Sequence, residues 1–307
     1  MKIKDYFISK GYSRSTVKHY HQSVLNFLAW LDGQRIATEQ VSRTDVTAYL
    51  QYLKHRKDQA NSTRSVQLNI IRQYFDFEIR NGQRDQNPTR HIKIRGTKQR
   101  ILYPIFSVQE LDGIYANYQP PAENHKDKNK NWFWKFELGR KRNKAALGLL
   151  IYQGLTTAEV NQLKPADVNL REGKVKVEGG RKSKSRTLDL KPFQIMELME
   201  YQLQTRAELI KHSETESEQL FISIGKYNDA TNIWKPLTKT IKAQNTKFIN
   251  FKQVRASVIT HWLKQHNLRQ VQYMAGHKYV SSTEAYKVNN LDDLKEDVEH
   301  FHPLGDD

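Results

Sequence analysis

The sequence predicts a mainly α-helical protein of two domains, with one small antiparallel β-sheet in the second domain. Apolar residues recur at spacings of three and four through most of the chain, which is the period of an amphipathic helix. One segment, residues 173–190, instead alternates apolar and polar residues around a glycine- and lysine-rich turn, as a β-hairpin does. The length of 307 residues is enough for two ordinary domains.

Three amphipathic helices are predicted in the first domain, residues 1–90. The first follows a capping Ser13, ends at Gly33 and has the apolar positions Val17, Tyr20, Val24, Phe27, Leu28 and Leu31. The second follows a Ser42–Asp45 capping box and has the apolar positions Val46, Tyr49, Leu50 and Leu53. The third ends before the helix-breaking pair Asn81-Gly82, and its predicted buried positions are Val66, Ile70, Ile71, Tyr74 and Phe75.

A basic linker is predicted at residues 91–101. The stretch "TRHIKIRGTKQR" (89–100) holds five Lys or Arg and no acidic residue, and it shows no clear period. Lys93, Arg95 and Lys98 are therefore candidates for contacts with the backbone of a nucleic acid. A solvated linker without a partner is an equally good interpretation.

The second domain is predicted to span residues 102–290. A capping box at Ser107–Glu110 opens a short helix, residues 118–131 form a polar loop, and "RNKAALGLLIYQGL" is a buried helix that ends near Gly154. Further helical patterns cover 192–210, 232–244, 251–266, 268–275 and 291–301. The last of these lies in a C-terminal tail helix, residues 291–307.

The charge of the chain indicates a polyanionic partner. The net charge is +17, and residues 1–100 carry 19 Lys+Arg against 8 Asp+Glu, a net of +11. An excess of positive charge within folded segments favours a nucleic-acid binder over a protein that charge merely keeps in solution. The absence of cysteine excludes disulfides, thiolate nucleophiles and cysteine-based zinc sites. The longest apolar run, "ALGLLIY", is too short to cross a bilayer and no signal peptide is evident, so we expect a cytoplasmic protein.

Motifs that contain candidate catalytic residues follow one another in the second domain. "GLTTAEVNQLKPADVNL" precedes the lysine-rich hairpin, "FKQVRASVITHWL" and "LRQVQYMAGH" come later, and Tyr286 stands nine residues after His277. In this order and spacing the motifs resemble the tyrosine recombinase (phage integrase) family, and the resemblance covers nearly the whole chain. The N-terminal helices look like the core-binding domain of that family, which binds DNA, and residues 102–290 look like its catalytic domain.

The resemblance implies a site-specific recombinase or integrase of a mobile element or phage. Such enzymes cut one DNA strand with a tyrosine hydroxyl, form a 3′-phosphotyrosyl link, and pass the strand to another 5′-hydroxyl. They need no metal or nucleotide cofactor, they act as tetramers on two sites of double-stranded DNA, and when bound to DNA they are associated with the nucleoid. The tail helix resembles the segment that docks on a neighbouring protomer, although it can also pack on its own domain.

The resemblance also implies roles for particular residues. Tyr286 matches the nucleophile, His277 the histidine that contacts the scissile phosphate, and Arg255 an arginine that clamps it. Lys252 stands where the family usually has histidine. Arg181, Lys182 and Lys184 compete for the role of the lysine that protonates the leaving oxygen; we prefer Lys182 and expect Arg181 and Lys184 to contact DNA.

The main departure from the family pattern is Thr156, which stands where "G-L-R-x-x-E" has its first active-site arginine. The T-x-x-E spacing of Thr156 and Glu159 predicts a helix cap, which cannot supply the missing charge. Arg140, Lys141 or Arg142 are hypothetical substitutes. The residues at positions Thr156 and Lys252 are also compatible with an alternative function: a recombinase-like DNA-binding protein that regulates recombination or transcription without cutting DNA. A third interpretation is a relaxing enzyme similar to type IB topoisomerases.

Overall fold

A computed structural model describes most of the chain. The described residues are 2–96, 102–181, 183–213, 217–223 and 231–287. Lys98, Lys182 and the predicted tail helix at 291–307 lie outside them. The chain divides into two compact units, Met1–Ile101 and Leu102–Asp307.

The first unit is a bundle of four helices around a core rich in aromatic residues. The helices are α1 (Ile3–Ser9), α2 (Arg14–Gly33), α3 (Arg43–His55) and α4 (Asn61–Arg80). Ser13 caps α2 and the Ser42–Asp45 capping box opens α3, as the sequence predicts. Helix α1 is not among the predicted helices; it is short, and its buried Tyr6 and Phe7 pack against α4 and α2.

The predicted apolar faces of this unit are confirmed except at one position. Val66 was expected in the buried stripe of α4, but 46% of its surface is exposed. The buried positions around it are Arg64 and Leu68, two residues away on either side. Because two residues correspond to about 200° around a helix, Val66 points away from the core.

Residues 91–96 pack against the helices of the first unit. Ile92 is buried in its core and Ile94 packs against it, while Lys93 and Arg95 are exposed. The Arg72 guanidinium donates to the carbonyl of Ile92 (3.2 Å). The alternation of the two isoleucines with the two basic residues directs both positive charges outward.

The second unit is mostly helical. Its helices are α5 (Val108–Asn117), α6 (Phe133–Tyr152), α7 (Thr157–Gln162), α8 (Pro192–Glu200), α9 (Arg206–Lys211), α10 (Thr231–Gln244), α11 (Phe251–Gln265), α12 (Leu268–Ala275) and α13 (Val280–Glu284). A π-helical turn, Tyr201–Thr205, joins α8 to α9. Helix α6 begins well before the predicted buried segment. Its last half, from Arg142 to Ile151, is buried throughout and forms the centre of the unit.

A three-stranded antiparallel sheet lies beside these helices, as predicted for the hairpin. Its strands are β1 (Val168–Asn169), β2 (Lys174–Val177) and β3 (Arg186–Asp189), in the order β1-β2-β3. Val175 pairs with Leu188 and Val177 with Arg186, and all four face the interior. The buried face of β3 therefore includes a charged residue. The two-residue strand β1 is too short to be predicted from its pattern.

In the part of the chain that the structure describes, no helix is long and apolar enough to span a membrane.

Candidate active site

Arg255 lies in the second turn of α11 and joins three segments of the second unit. The helix begins at Asn250, whose side chain accepts hydrogen bonds from the backbone N–H groups of Lys252 and Gln253. The Arg255 guanidinium donates to the carbonyl of Gly154 (2.5 Å) and to that of Ala275 (2.6 Å). Its side chain is 12% exposed. Burial lowers the pKa of Arg255, and the nearby Glu159 carboxylate opposes this shift.

His277 faces Arg255 from the end of α12. Gly276 ends the helix in the left-handed conformation (φ 67°), and the backbone N–H of His277 donates to the carbonyl of Gln272. The Nδ1 atom lies 2.9 Å from the hydroxyl of Thr283, and Nε2 lies 3.4 Å from Arg255 Nη2. Since Arg255 can only donate, we assign the ring proton to Nδ1.

The imidazole of His277 is neutral at physiological pH. Burial lowers the pKa of His277 to about 4, and the positive charges of Arg255 and Arg186 act in the same direction. The Glu159 carboxylate opposes them weakly. His277 is therefore a hydrogen-bonding group here and carries no charge.

Tyr286 lies against His277. Their ring planes are 12° from parallel, with centroids 5.7 Å apart. The backbone N–H of Tyr286 donates to the carbonyl of Thr283, and the ring packs on a small cluster formed by Ile259, Val271 and Ala275. The fold thus brings Tyr286, His277 and Arg255 together, although α12 and α13 separate them in sequence.

The turn between β2 and β3 is attached to the same place. Ser183 forms an antiparallel bridge with His277, and the backbone N–H of Lys184 donates to the carbonyl of Gly276 (2.9 Å). The side chains of Lys184 and Arg181 are exposed. The hairpin therefore carries its basic residues to the backbone beside His277.

Glu159 connects the site to Thr156. Thr156 caps α7: its hydroxyl accepts from the Glu159 N–H (3.1 Å) and donates to Glu159 Oε2 (2.9 Å), so the predicted capping box is confirmed. The other carboxylate oxygen accepts from Arg186 Nη1 (2.7 Å), and Oε2 lies 3.5 Å from Arg255 Nη1. Burial alone raises the pKa of Glu159, but the hydrogen bond and charge of Arg186 outweigh it and hold the pKa below its usual value. Glu159 is thus an anion shared by two arginines.

Family comparisons agree with the resemblance in the motifs. Residues 133–292 match the model described as "Phage integrase family", and residues 3–82 match "Phage integrase, N-terminal SAM-like domain". The chain belongs to the phage integrase family. It is 30% identical to a tyrosine recombinase XerD of Oceanobacillus iheyensis, over 98% of both chains. It is 28% identical to a XerD of Staphylococcus epidermidis, over 96% of this chain and 95% of the other.

Solved structures show the same fold. The XerH site-specific recombinase bound to a palindromic difH substrate matches with a TM-score of 0.68 and 17% identity, over 92% of this chain and 79% of that one. A lambda integrase dimer bound to a COC′ core site matches with a TM-score of 0.62 and 16% identity, over 94% and 93% of the two chains. A lambda integrase tetramer bound to a Holliday junction matches with a TM-score of 0.59 and 14% identity, over 90% and 75%. Homology of this integrase-family chain to tyrosine recombinases supports DNA strand transfer as its reaction class.

The remaining predicted residues of this member of the phage integrase family are placed as follows. Lys252 lies one turn before Arg255 on α11 and is exposed. Lys93 and Arg95 are exposed on the first unit. Among the residues that the structure describes, no group of three or more His, Asp or Glu is arranged to hold a metal ion.

The hypothetical substitutes for the missing arginine are engaged elsewhere. Arg142 donates to the carbonyl of Ile222 and to the Asn143 side chain. Arg140 donates to the carbonyl of Gln119, and Lys141 pairs with Glu137 and Glu200. All three point toward partners outside the Arg255–His277 site.

Three residues of the site escaped the sequence analysis: Arg186, Gly276 and Thr283. A usable signal existed only for Arg186, which occupies an inward position of β3, in phase with Leu188 and Leu190. An arginine at an inward-facing strand position is buried, and a buried arginine is almost always paired with an acidic residue. Thr283, which is fully buried, has no local pattern that distinguishes it from the neighbouring Ser281 and Ser282.

Proposed function

We propose that this chain is a site-specific DNA recombinase in which Tyr286 is the nucleophile. The observation that carries the proposal is the convergence of Tyr286, His277 and Arg255 on one place in a chain of this family. A tyrosine hydroxyl, a phosphate-binding arginine and an imidazole are the groups that cleavage of a phosphodiester through a phosphotyrosine requires.

In the proposed reaction the Tyr286 oxygen attacks the scissile phosphorus and releases its proton to water. A new O–P bond forms, the bond to the 5′-oxygen breaks, and the 5′-oxygen leaves as a hydroxyl after it accepts a proton. Attack by the 5′-hydroxyl of another strand reverses these changes and releases the tyrosine. The bond energy stays in the phosphotyrosine, so we expect no cofactor and no metal.

In this proposal Arg255 and His277 hold the phosphate. Arg255 Nη2 and His277 Nε2 lie 3.4 Å apart, so both nitrogens could bind the same phosphate oxygen. When the phosphate takes the Arg255 donor, His277 can shift its proton to Nε2, because the Thr283 hydroxyl can donate to Nδ1 as well as accept from it. We propose that Lys252, exposed one turn before Arg255, adds positive charge at the approach to the phosphate.

The proton of the leaving oxygen comes from the hairpin in this proposal. Lys182 is our preferred donor, with Arg181 and Lys184 on neighbouring DNA phosphates. Two described residues of this turn, Ser183 and Lys184, are bonded to His277 and Gly276, which supports a hairpin lysine beside the scissile phosphate.

We further propose that residues 1–90 form the core-binding domain, with Lys93, Arg95 and Lys98 of the 91–101 linker on DNA backbone. Residues 102–290 would form the catalytic domain, and the 291–307 tail would dock on a neighbouring protomer in a tetramer on two DNA sites. An integrase of a mobile element or phage fits this assembly, and it would work in the cytoplasm, associated with the nucleoid.

The test is covalent capture on DNA. Selection from a random library first identifies a bound sequence, and a duplex with that site and a nick next to the cleavage position then traps the intermediate. We expect a protein–DNA adduct with the wild type and none with Tyr286→Phe. Tyr279→Phe is the matched control, because Tyr279 is 64% exposed in the same segment; it should form the adduct normally. Binding without any adduct would favour the regulatory DNA-binding protein, and relaxation of supercoils without strand exchange would favour the topoisomerase-like enzyme.

A further inference from the structure

Arg186 is a buried arginine that the proposed reaction has so far not used. It lies on the inner face of β3, and its side chain is 0% exposed. Nη1 donates to Glu159, whereas Nε and Nη2 are buried with no hydrogen-bond partner among the described residues. Burial of a guanidinium with unpaired donors is unfavourable, and an apolar residue would fill the same strand position more easily. The position therefore calls for a role that needs the positive charge.

Glu159 shows what that role is. Its carboxylate contacts both Arg186 (2.7 Å) and Arg255 (3.5 Å). A carboxylate paired with Arg255 alone would give a group of zero net charge. With Arg186 present the three side chains carry one net positive charge, and in a buried site that difference acts strongly on a bound anion.

The position of Arg186 relative to His277 is fixed by the backbone. A Cβ atom at Gly276 would overlap Arg186 Nη1 and lie 2.8 Å from its Cζ, so only glycine leaves room for the guanidinium there. Lys184 and Ser183, just before Arg186, are bonded to Gly276 and His277. The positive charge of Arg186 is thus held close to His277, which we expect to contact the phosphate.

We propose that Arg186 is a positioning residue that compensates for Thr156: it neutralises Glu159 and leaves Arg255 with a net positive charge for the scissile phosphate. The inference rests on the proposed function, since it assumes a phosphate at Arg255. Arg186 acts through Glu159 and does not itself reach the DNA.

The test compares four variants: Arg186→Gln, Arg186→Lys, Glu159→Gln and the double variant Arg186→Gln/Glu159→Gln. On the nicked duplex, Arg186→Gln should form the covalent adduct about 10²-fold more slowly than the wild type. Arg186→Lys, which keeps the charge, should stay within about tenfold of the wild type. The double variant restores the net charge of one and should recover most of the lost rate. A double variant as slow as Arg186→Gln would overturn the proposal.

A control for stability comes from Arg206→Gln. Arg206 begins α9 and donates to the backbone carbonyls of Gln219 and Leu220, away from the site. This variant loses four hydrogen bonds, more than the single one that Arg186 makes among the described residues, and should nevertheless form the adduct at the wild-type rate. If it is slowed as much as Arg186→Gln, the effect of Arg186 is only structural.

A second readout does not depend on DNA cleavage. The pKa of His277, followed by NMR without DNA, should rise in Arg186→Gln, fall in Glu159→Gln and return toward the wild-type value in the double variant. Failure of the wild type to form any adduct would refute the proposed reaction, and the titration would still decide the charge relationship. A His277 pKa unchanged in Arg186→Gln would overturn the inference by itself.

Discussion

The imidazole ring of His277 and the phenol ring of Tyr286 lie nearly parallel, with centroids 5.7 Å apart and planes inclined by 12°. Helix α13 lies between them in sequence and reverses the chain, so that the tyrosine returns to the histidine nine residues later. The same short helix supplies Thr283, which binds His277 Nδ1. One segment thus positions the proposed nucleophile and orients its neighbour.

The pH dependence of stability should show the burial of His277. In the unfolded chain this histidine binds a proton below about pH 6.5, whereas in the folded state it does so only near pH 4. The unfolded state therefore binds more protons between these values, and the free energy of unfolding should fall as the pH drops from 6.5 to 4. Urea unfolding across this range should give a shallower decline for His277→Gln than for the wild type; identical slopes would contradict the burial.

Replacement of Thr283 should affect the reaction more than the fold. Thr283→Val keeps the shape but removes the hydroxyl that orients His277. We expect about fivefold slower adduct formation with unchanged DNA affinity, because one hydrogen bond is worth about 1 kcal/mol. Thr283→Ser keeps the hydroxyl and should react nearly as the wild type. A loss in Thr283→Ser with none in Thr283→Val would mean that packing of the threonine methyl group matters instead.

Gly276→Ala should destabilise the second unit. Alanine is strained at φ 67°, and its Cβ would displace the Arg186 guanidinium. Together these effects should lower the free energy of unfolding by about 2–4 kcal/mol, measured by urea denaturation. The control is Gly113→Ala in α5, where a Cβ meets nothing within 4 Å. There the higher helix propensity of alanine should raise the free energy of unfolding by about 0.5–1 kcal/mol. Similar changes in both variants would rule out a close approach at Gly276.

The cap at Thr156 should be measurable as stability. Thr156→Ala removes the hydroxyl that accepts from the Glu159 N–H, and should lower the free energy of unfolding by about 1 kcal/mol. Thr156→Ser preserves the capping oxygen and should lie close to the wild type in the same denaturation experiment. An unaltered Thr156→Ala protein would show that the cap contributes nothing.

A sulfur leaving group can identify the proton donor of the hairpin. A thiolate leaves without a proton, so a variant without the donor should cleave a 5′-bridging phosphorothiolate normally while it cleaves the ordinary phosphodiester slowly. We expect this pattern for Lys182→Ala and not for Lys184→Ala or Arg181→Ala, measured as single-turnover rates. Rescue of Lys184→Ala instead would transfer the role to Lys184.

Local features of this protein were predictable because they depend on neighbours within one or two turns. The caps at Ser13, Ser42, Ser107 and Thr156 follow from side chains three residues apart. The error at Val66 has the opposite cause: its exposure depends on which face of α4 meets the other helices, and an apolar residue at the edge of a stripe does not specify that.

The sequence by itself determined the helical class, the hairpin, the family and the order of Lys252, Arg255, His277 and Tyr286 along the chain. Only the tertiary structure decided how these charges combine. Glu159 lies between Arg186 and Arg255 because the register of β2 and β3 turns Arg186 inward and α11 packs beside α6. Gly276 leaves the space that the Arg186 guanidinium fills. Contacts of this kind join residues far apart in sequence, so no local period or spacing records them.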